Sequence, residues 1–261
     1  MDLGLTNKIA IVTGASKGMG LSVSKELLKT GAKVMMVSRS GEKLEELTFE
    51  LRNKGFDVDY VVGDVSSSDL HQKVINKTIK KWGKVHILIN NAGGPPMGSF
   101  LEKNDIDWDS AFQTNLMSVI RFSKAVAFYM KKNKWGRIIS ITSSLAIEPT
   151  PNMVLSSTIR AGVSSFSKAI ATELAQDNIT VNVLCPGGVL TDRLKGLVEN
   201  QAQRENKSYE ELLKKSELSI PVKRFASVEE IASTILFLSS EKASYITGVS
   251  LAVDGGLLKS F

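Results

Sequence analysis

The chain has 261 residues, 43% of them apolar and 23% charged, and carries a formal charge of +6 at pH 7. That balance excludes a disordered or fibrous polymer, and the lack of any run of roughly 18 apolar residues argues against a membrane-spanning helix. The basic residues are dispersed with no run of five, which argues against nucleic acid as a partner and suits an anionic small molecule.

Short β-branched and apolar runs alternate with segments of helical apolar spacing. The first run, Lys8 to Val12, leads into Thr13-Gly14-Ala15-Ser16-Lys17-Gly18-Met19-Gly20 and a helix marked by Leu21, Val23, Leu27 and Leu28. The second, Lys33 to Val37, precedes a helix marked by Leu44, Leu47 and Leu51. Further strands are expected at Val58 to Val62, His86 to Ile89, Arg137 to Ile141, Thr180 to Leu184 and Ser250 to Val253. Helices are expected from about Asp107 to Lys131 and from about Ser156 to Leu174. An insertion over about 191–221 breaks the rhythm. It reads as a helical lid, because long insertions at the carboxyl ends of parallel strands border ligands, or as a plain solvated hairpin. The alternation predicts an α/β chain over residues 1–261: a single-domain Rossmann fold with a doubly wound, seven-stranded parallel sheet and helices on both faces.

The turn after the first strand presents backbone N–H groups at a helix start, where a pyrophosphate can sit, and its glycines permit close approach. It is not a nucleoside triphosphate loop, because no Lys-Ser/Thr pair follows the last glycine. The second strand ends in Ser38-Arg39-Ser40, where an NAD-selective protein would present a carboxylate to the adenosine 2′-hydroxyl. Arg39 and Lys17 can instead embrace a 2′-phosphate, so the expected cofactor is NADP(H).

These residues resemble the short-chain dehydrogenase/reductase family, whose glycine pattern is Gly-x-x-x-Gly-x-Gly, here Gly14, Gly18 and Gly20. Further matches follow in family order: Gly63-Asp64-Val65, Asn90-Asn91-Ala92-Gly93, Thr114-Asn115-Leu116, Gly136-Arg137-Ile138-Ile139 and Pro186-Gly187-Gly188-Val189-Leu190-Thr191. Ile246-Thr247-Gly248 and Val253-Asp254-Gly255-Gly256 close the series, and the overall cast is similar to the 3-oxoacyl thioester reductases. The resemblance implies that Gly14, Ser16, Lys17, Gly18, Met19, Gly20, Ser38 and Arg39 contact the cofactor, with Asp64 and Val65 at the adenine. It likewise implies Asn91, Ala92 and Gly93 along the ribose, and Arg160, Pro186, Gly187, Val189 and Thr191 as further cofactor contacts.

In that family a Ser, a Tyr thirteen residues later and a Lys four further on act with an upstream Asn on the reacting carbonyl; Ser143 and Asn115 match, but Ser156 and Arg160 stand at the other two positions. The flanks Ala161-Gly162-Val163 and Phe166-Ser167-Lys168 fit without a gap. Of Tyr60, Tyr129, Tyr209 and Tyr245, only Tyr209 in the insertion could swing in. A serine hydroxyl is far less acidic than a phenol of pKa ~10, and a positioned general acid is worth roughly 10²- to 10⁴-fold in rate.

Two functions remain open. The first is hydride transfer to a carbonyl or a conjugated enoyl or dienoyl group, acyl thioesters included, with Asn115, Ser143 and Ser156 as donors, Arg160 as the charge and water as the proton source. The second is an NADP(H)-binding sensor or scaffold without redox chemistry. Gly93 to Gly98, with Pro95, Pro96 and Met97, reads as a substrate wall or a rigid turn, and Pro149, Pro151 and Met153 as an apolar substrate mouth. The lone Cys185 and the absence of a basic leader suggest a cytoplasmic protein without membrane contact. His71 and His86 are isolated, so no metal is expected. The breadth of the apolar faces on the two long helices, taken with the resemblance, implies a homodimer or homotetramer.

Overall fold

The computed structural model describes residues 2–260. Seven strands, β1 (Ile9–Thr13), β2 (Lys33–Ser38), β3 (Val58–Val62), β4 (Ile87–Asn90), β5 (Gly136–Ile141), β6 (Ile179–Pro186) and β7 (Ser250–Val253), form one sheet in the order β3-β2-β1-β4-β5-β6-β7. Every neighbouring pair is parallel. Strand order reverses between β1 and β4, and in open parallel sheets that reversal opens a crevice at the carboxyl ends.

The five inner strands are buried on both sides because helices cover both faces, while the edge strands β3 and β7 are half-buried or exposed. The helices are α1 (Gly18–Lys29), α2 (Gly41–Asn53), α3 (Leu70–Trp82), α4 (Asp105–Phe112), α5 (Ser118–Asn133), α6 (Val154–Leu174), α7 (Asp192–Glu205), α8 (Tyr209–Ser219) and α9 (Val228–Ser239). Alternation along β1 sends Ala10 and Val12 into a core with Val23 and Leu27 of α1 and Ile235 of α9. Ile11 faces the other way, toward Val74 of α3 and Phe122 and Val126 of α5. Each such fully buried Val, Leu, Ile or Phe side chain is worth about 1.5–3 kcal/mol, so the two cores hold the sheet from either side.

One element departs from the expectation, and the insertion resolves into two helices. The helix expected over Asp107 to Lys131 is divided into α4 and α5 by a wide π-helical turn, Gln113–Met117. The extra residue turns Asn115 inward, where its Nδ2 donates to the Gly93 carbonyl at 2.8 Å. The insertion consists of α7 and α8, which pack on each other through Val198, Ala202 and Leu212. Each starts on a side-chain cap, Thr191 Oγ1 accepting from Leu194 N at 3.3 Å and Ser208 Oγ from Glu211 N at 3.4 Å. Among the described residues no helix is long and apolar enough to cross a membrane.

His86 joins two strands rather than serving chemistry: its Nδ1 accepts the Ile9 N–H at 3.0 Å. Burial, then the charges of Lys8 and Lys84, hold its pKa down to about 4 from an ordinary 6.5. The folded state thus resists a proton that the unfolded chain accepts, so this contribution to stability is full above about pH 6.5 and is lost as pH falls toward 4. His86→Gln, which keeps an acceptor but does not titrate, is expected to lose less thermal stability than the parent between those pH values. Parallel melting curves for the two proteins across that range would refute the assignment.

Candidate active site

The carboxyl ends of β1 and β4 are sewn together. Asn91 N donates to Thr13 Oγ1 at 2.8 Å, Thr13 Oγ1 donates to Asn91 O at 2.9 Å, and Asn91 Nδ2 reaches the carbonyls of Thr13 and Gly14 at 3.3 and 3.2 Å. Gly14 has φ +60°, and a Cβ on it would stand 2.5 Å from Asn91 O; one on Gly20 would stand 2.3 Å from Gly14 O. Both positions therefore require glycine for packing. Gly18, at φ +56°, differs: a Cβ there meets nothing nearer than Thr191 Cγ2 at 3.7 Å, and one on Gly93 meets nothing within 4 Å. Gly18 thus borders open space at the start of α1, a cradle that fits a dinucleotide pyrophosphate, and Gly93 leaves open space at the loop after β4.

The remaining residues expected to hold cofactor are distributed as follows. Ser38 Oγ donates to Ser16 Oγ at 2.8 Å, tying the glycine turn to β2, while Met19 packs on the core. Arg39 and Lys17, expected together on a 2′-phosphate, rest on separate carboxylates: Arg39 Nη1 is 3.4 Å from Asp64 Oδ2 and Lys17 Nζ is 3.6 Å from Asp192 Oδ2. Burial would raise the Asp64 pKa, but hydrogen bonds from the Ser66 backbone and hydroxyl, with Arg39 beside them, lower it overall and keep the carboxylate ionised. Beyond β6, Gly187 N donates to Val253 O at 3.1 Å, Val189 bridges to Ala226, and Thr191 caps α7 across from Gly18.

Arg160 lies one turn of α6 beyond Ser156. Its Nε donates to Ser156 Oγ at 3.1 Å and its Nη1 to the Ile141 carbonyl at 3.4 Å. Burial, then the charge of Arg193, pull its pKa to about 10, with Cys185 acting in the opposite sense; the guanidinium stays charged at neutral pH. Ser143 follows β5, its Oγ accepting from Leu145 N at 3.3 Å. A pocket of about 20 Å³ is lined by Ala92, Val65, Asn91, Asn115 and Arg160 among others, room for one water. Asn115 Oδ1 is buried beside it with no protein hydrogen-bond partner.

No tyrosine lines that pocket. Tyr209 packs into the α7–α8 cluster and Tyr245 is fully exposed. The two loops expected to shape a substrate mouth do meet, Gly98 N donating to Asn152 O at 2.8 Å and Gly98 bridging to Met153. Pro149 and Pro151, however, line a separate cleft of about 430 Å³ with Phe100, Val154 and Thr158, and neither Ser156 nor Arg160 faces it. The helical period explains the split: positions 154, 158 and 161 of α6 turn away from 156 and 160. Arg193, in the first turn of α7, was not singled out by the sequence reading, yet it donates to the Pro95 carbonyl and shares the space over Gly94 with Arg160. A cation in the first turn of a helix, against the dipole preference, was the available signal.

The family model described as short chain dehydrogenase matches residues 8–202. The 3-oxoacyl-[acyl-carrier-protein] reductase FabG of Chlamydia muridarum is 34% identical over 254 residues, covering 97% of this chain and 98% of that protein. The NADPH-dependent reductase BacG of Bacillus subtilis is 34% identical over 258 residues, covering 98% and 100%. Among solved structures, L-sorbose reductase from Gluconobacter frateurii complexed with NADPH and L-sorbose superposes with a TM-score of 0.94 at 32% identity, over 100% of both chains. A parallel sheet with its strand order reversed at β1 and β4, a glycine cradle at that reversal and these full-length likenesses agree: the chain is an oxidoreductase belonging to the short-chain dehydrogenase/reductase family.

Proposed function

We propose that the protein is an NADP(H)-dependent oxidoreductase that exchanges hydride with a carbonyl or conjugated enoyl or dienoyl substrate at a site without tyrosine, acyl thioesters being one candidate class. The hydrogen bond from Arg160 Nε to Ser156 Oγ carries this reading. With its oxygen already accepting from a cation, the Ser156 hydroxyl is left to donate its own hydrogen to a substrate oxygen, and it is a stronger donor for the positive charge behind it. Ser143 supplies a second hydroxyl, and Arg160 offsets the negative charge that develops on that oxygen.

NADP(H), when bound, supplies or accepts the hydride. The start of α1 and Gly18 hold the pyrophosphate, and Arg39 and Lys17 exchange Asp64 and Asp192 for the 2′-phosphate. The small pocket beside Asn115 Oδ1 and Arg160 suits a water that delivers the proton, which arginine cannot release at neutral pH. Reduction of a ketone then adds hydride to carbon and the water-borne proton to oxygen. In a conjugated substrate hydride adds at the far alkene carbon, the enolate oxygen rests on Ser156 and Ser143, and carbon takes the proton last.

The 191–221 insertion acts as the lid. Two contacts support this: Arg193 donates to the loop after β4, and Asp192 holds Lys17 of the glycine turn. The exposed Phe112 and Phe128 on α4 and α5, with Leu251 at the β7 edge, support a homodimer or homotetramer, working in the cytoplasm.

Arg39→Ala is expected to weaken NADPH binding roughly ten- to hundredfold by calorimetry while NADH binding hardly changes; equal losses for both cofactors would refute the 2′-phosphate assignment. In an NADPH-consumption screen of carbonyl, enoyl and dienoyl compounds, Ser156→Ala and Arg160→Ala should each lower turnover by roughly 10²-fold. Indifference to both substitutions eliminates the proposed site, and binding of NADPH without turnover of any compound favours a cofactor sensor. Light scattering at micromolar concentration should give at least twice the monomer mass.

A further inference from the structure

Two cations meet at the reacting centre. Arg160 Nη2 and Arg193 Nη2 lie 3.1 and 3.2 Å from the point where a Cβ on Gly94 would stand, so two guanidinium groups from different helices converge over one glycine. Among the described residues no carboxylate offsets either charge: Asp192, the neighbour of Arg193, is turned to Lys17 at 3.6 Å.

The donors are also in surplus. Arg160 spends Nε on Ser156 Oγ and Nη1 on the Ile141 carbonyl, and Arg193 spends Nη2 on Pro95 O. A guanidinium has five N–H groups, so the Nη2 hydrogens of Arg160 and most of those of Arg193 have no acceptor among the described residues. Arg160 is half-buried and Arg193 exposed, so water screens part of their mutual repulsion, and an anion set between them turns what remains into paired, charge-assisted hydrogen bonds.

We propose that Arg160 and Arg193 receive an anionic group of the substrate, a carboxylate attached next to the reducible carbon, as in a 2-oxo acid or an α,β-unsaturated acid. This rests on the hydride-transfer reading and narrows it. Position favours substrate over the cofactor's phosphates: Gly94 follows the end of β4, and Arg160 is bonded to Ser156, whereas the pyrophosphate cradle lies at Gly18 facing Thr191. Chemistry favours a carboxylate: two planar forks match a small planar acceptor with two oxygens, which a neutral ketone or thioester lacks at its reducible end.

The full-length protein loaded with NADP⁺ is titrated calorimetrically with matched pairs, phenylpyruvate and its methyl ester, cinnamate and cinnamamide, and NADPH oxidation is followed with the same compounds. The acids should bind roughly ten- to hundredfold more tightly than their neutral partners. Arg193→Gln should erase that preference with NADPH affinity unchanged, and Arg193→Lys should restore part of it. The proposal is overturned if neutral and charged partners bind alike, if no acid of the set binds, or if Arg193→Gln weakens NADPH and acid in parallel, which would assign the guanidinium to the cofactor. Preference for the acids without NADPH oxidation by any compound sinks the hydride reading alone and leaves the anion receptor standing.

Discussion

The hydrogen-bonded seam between Thr13 and Asn91 is the constraint on which the rest depends. A parallel sheet whose order reverses at β1 and β4 leaves two strand ends diverging, with nothing in the sheet to hold the loops beyond them. Asn91 closes that gap with its main chain and side chain together, and it does so by occupying the volume that a side chain at position 14 or 20 would need. With those positions fixed, the start of α1 is aimed into the crevice and Gly18 is left facing open space. Affinity for a dinucleotide begins in this geometry, before any charged residue contributes.

The chemistry superimposed on that frame is electrostatic. A tyrosine can give up a proton; a serine backed by a guanidinium cannot do so at neutral pH, but it can hold an oxygen while charge accumulates there. In the proposed mechanism the site is organised around stabilising negative charge rather than around proton donation, with the hydrogen bond from Arg160 to Ser156 at its centre. In the same mechanism the buried Asn115 Oδ1, with no hydrogen-bond partner among the described residues, is an acceptor beside the small pocket that would hold the proton-carrying water.

Much of this was legible in the sequence. β3 and β7 lie at the residues the apolar runs mark, and the other strands differ by a residue or two at their ends; the five inner strands are buried and so stand out as apolar runs, while the edge strands β3 and β7 are still rich in β-branched and apolar residues. The glycine turn was readable from its spacing between strand and helix, and positions 156 and 160 from the resemblance to the family's catalytic pattern. The interruption at Gln113–Met117 was not, because apolar periodicity records which face is buried and barely changes when one turn widens. Nor was the partition of α6, where Pro149 and Pro151 belong to a different face from Ser156. Arg193 escaped notice because the sequence places it among many lysines and arginines, and only the folded chain brings it to Gly94.

The widened turn between α4 and α5 carries a consequence for how this chain tolerates change in length. A helix advances about 100° per residue, so one surplus residue sets the two segments out of phase by that angle. Asn115 faces inward and Phe112 and Phe128 remain on the outside because of this offset. Removing a single residue there would leave an unbroken and locally better helix, yet it would rotate everything on one side by more than a quarter turn, exchanging an interior amide for a hydrocarbon. The defect in regular structure is thus what lets one continuous stretch of chain serve the interior and the exterior at once.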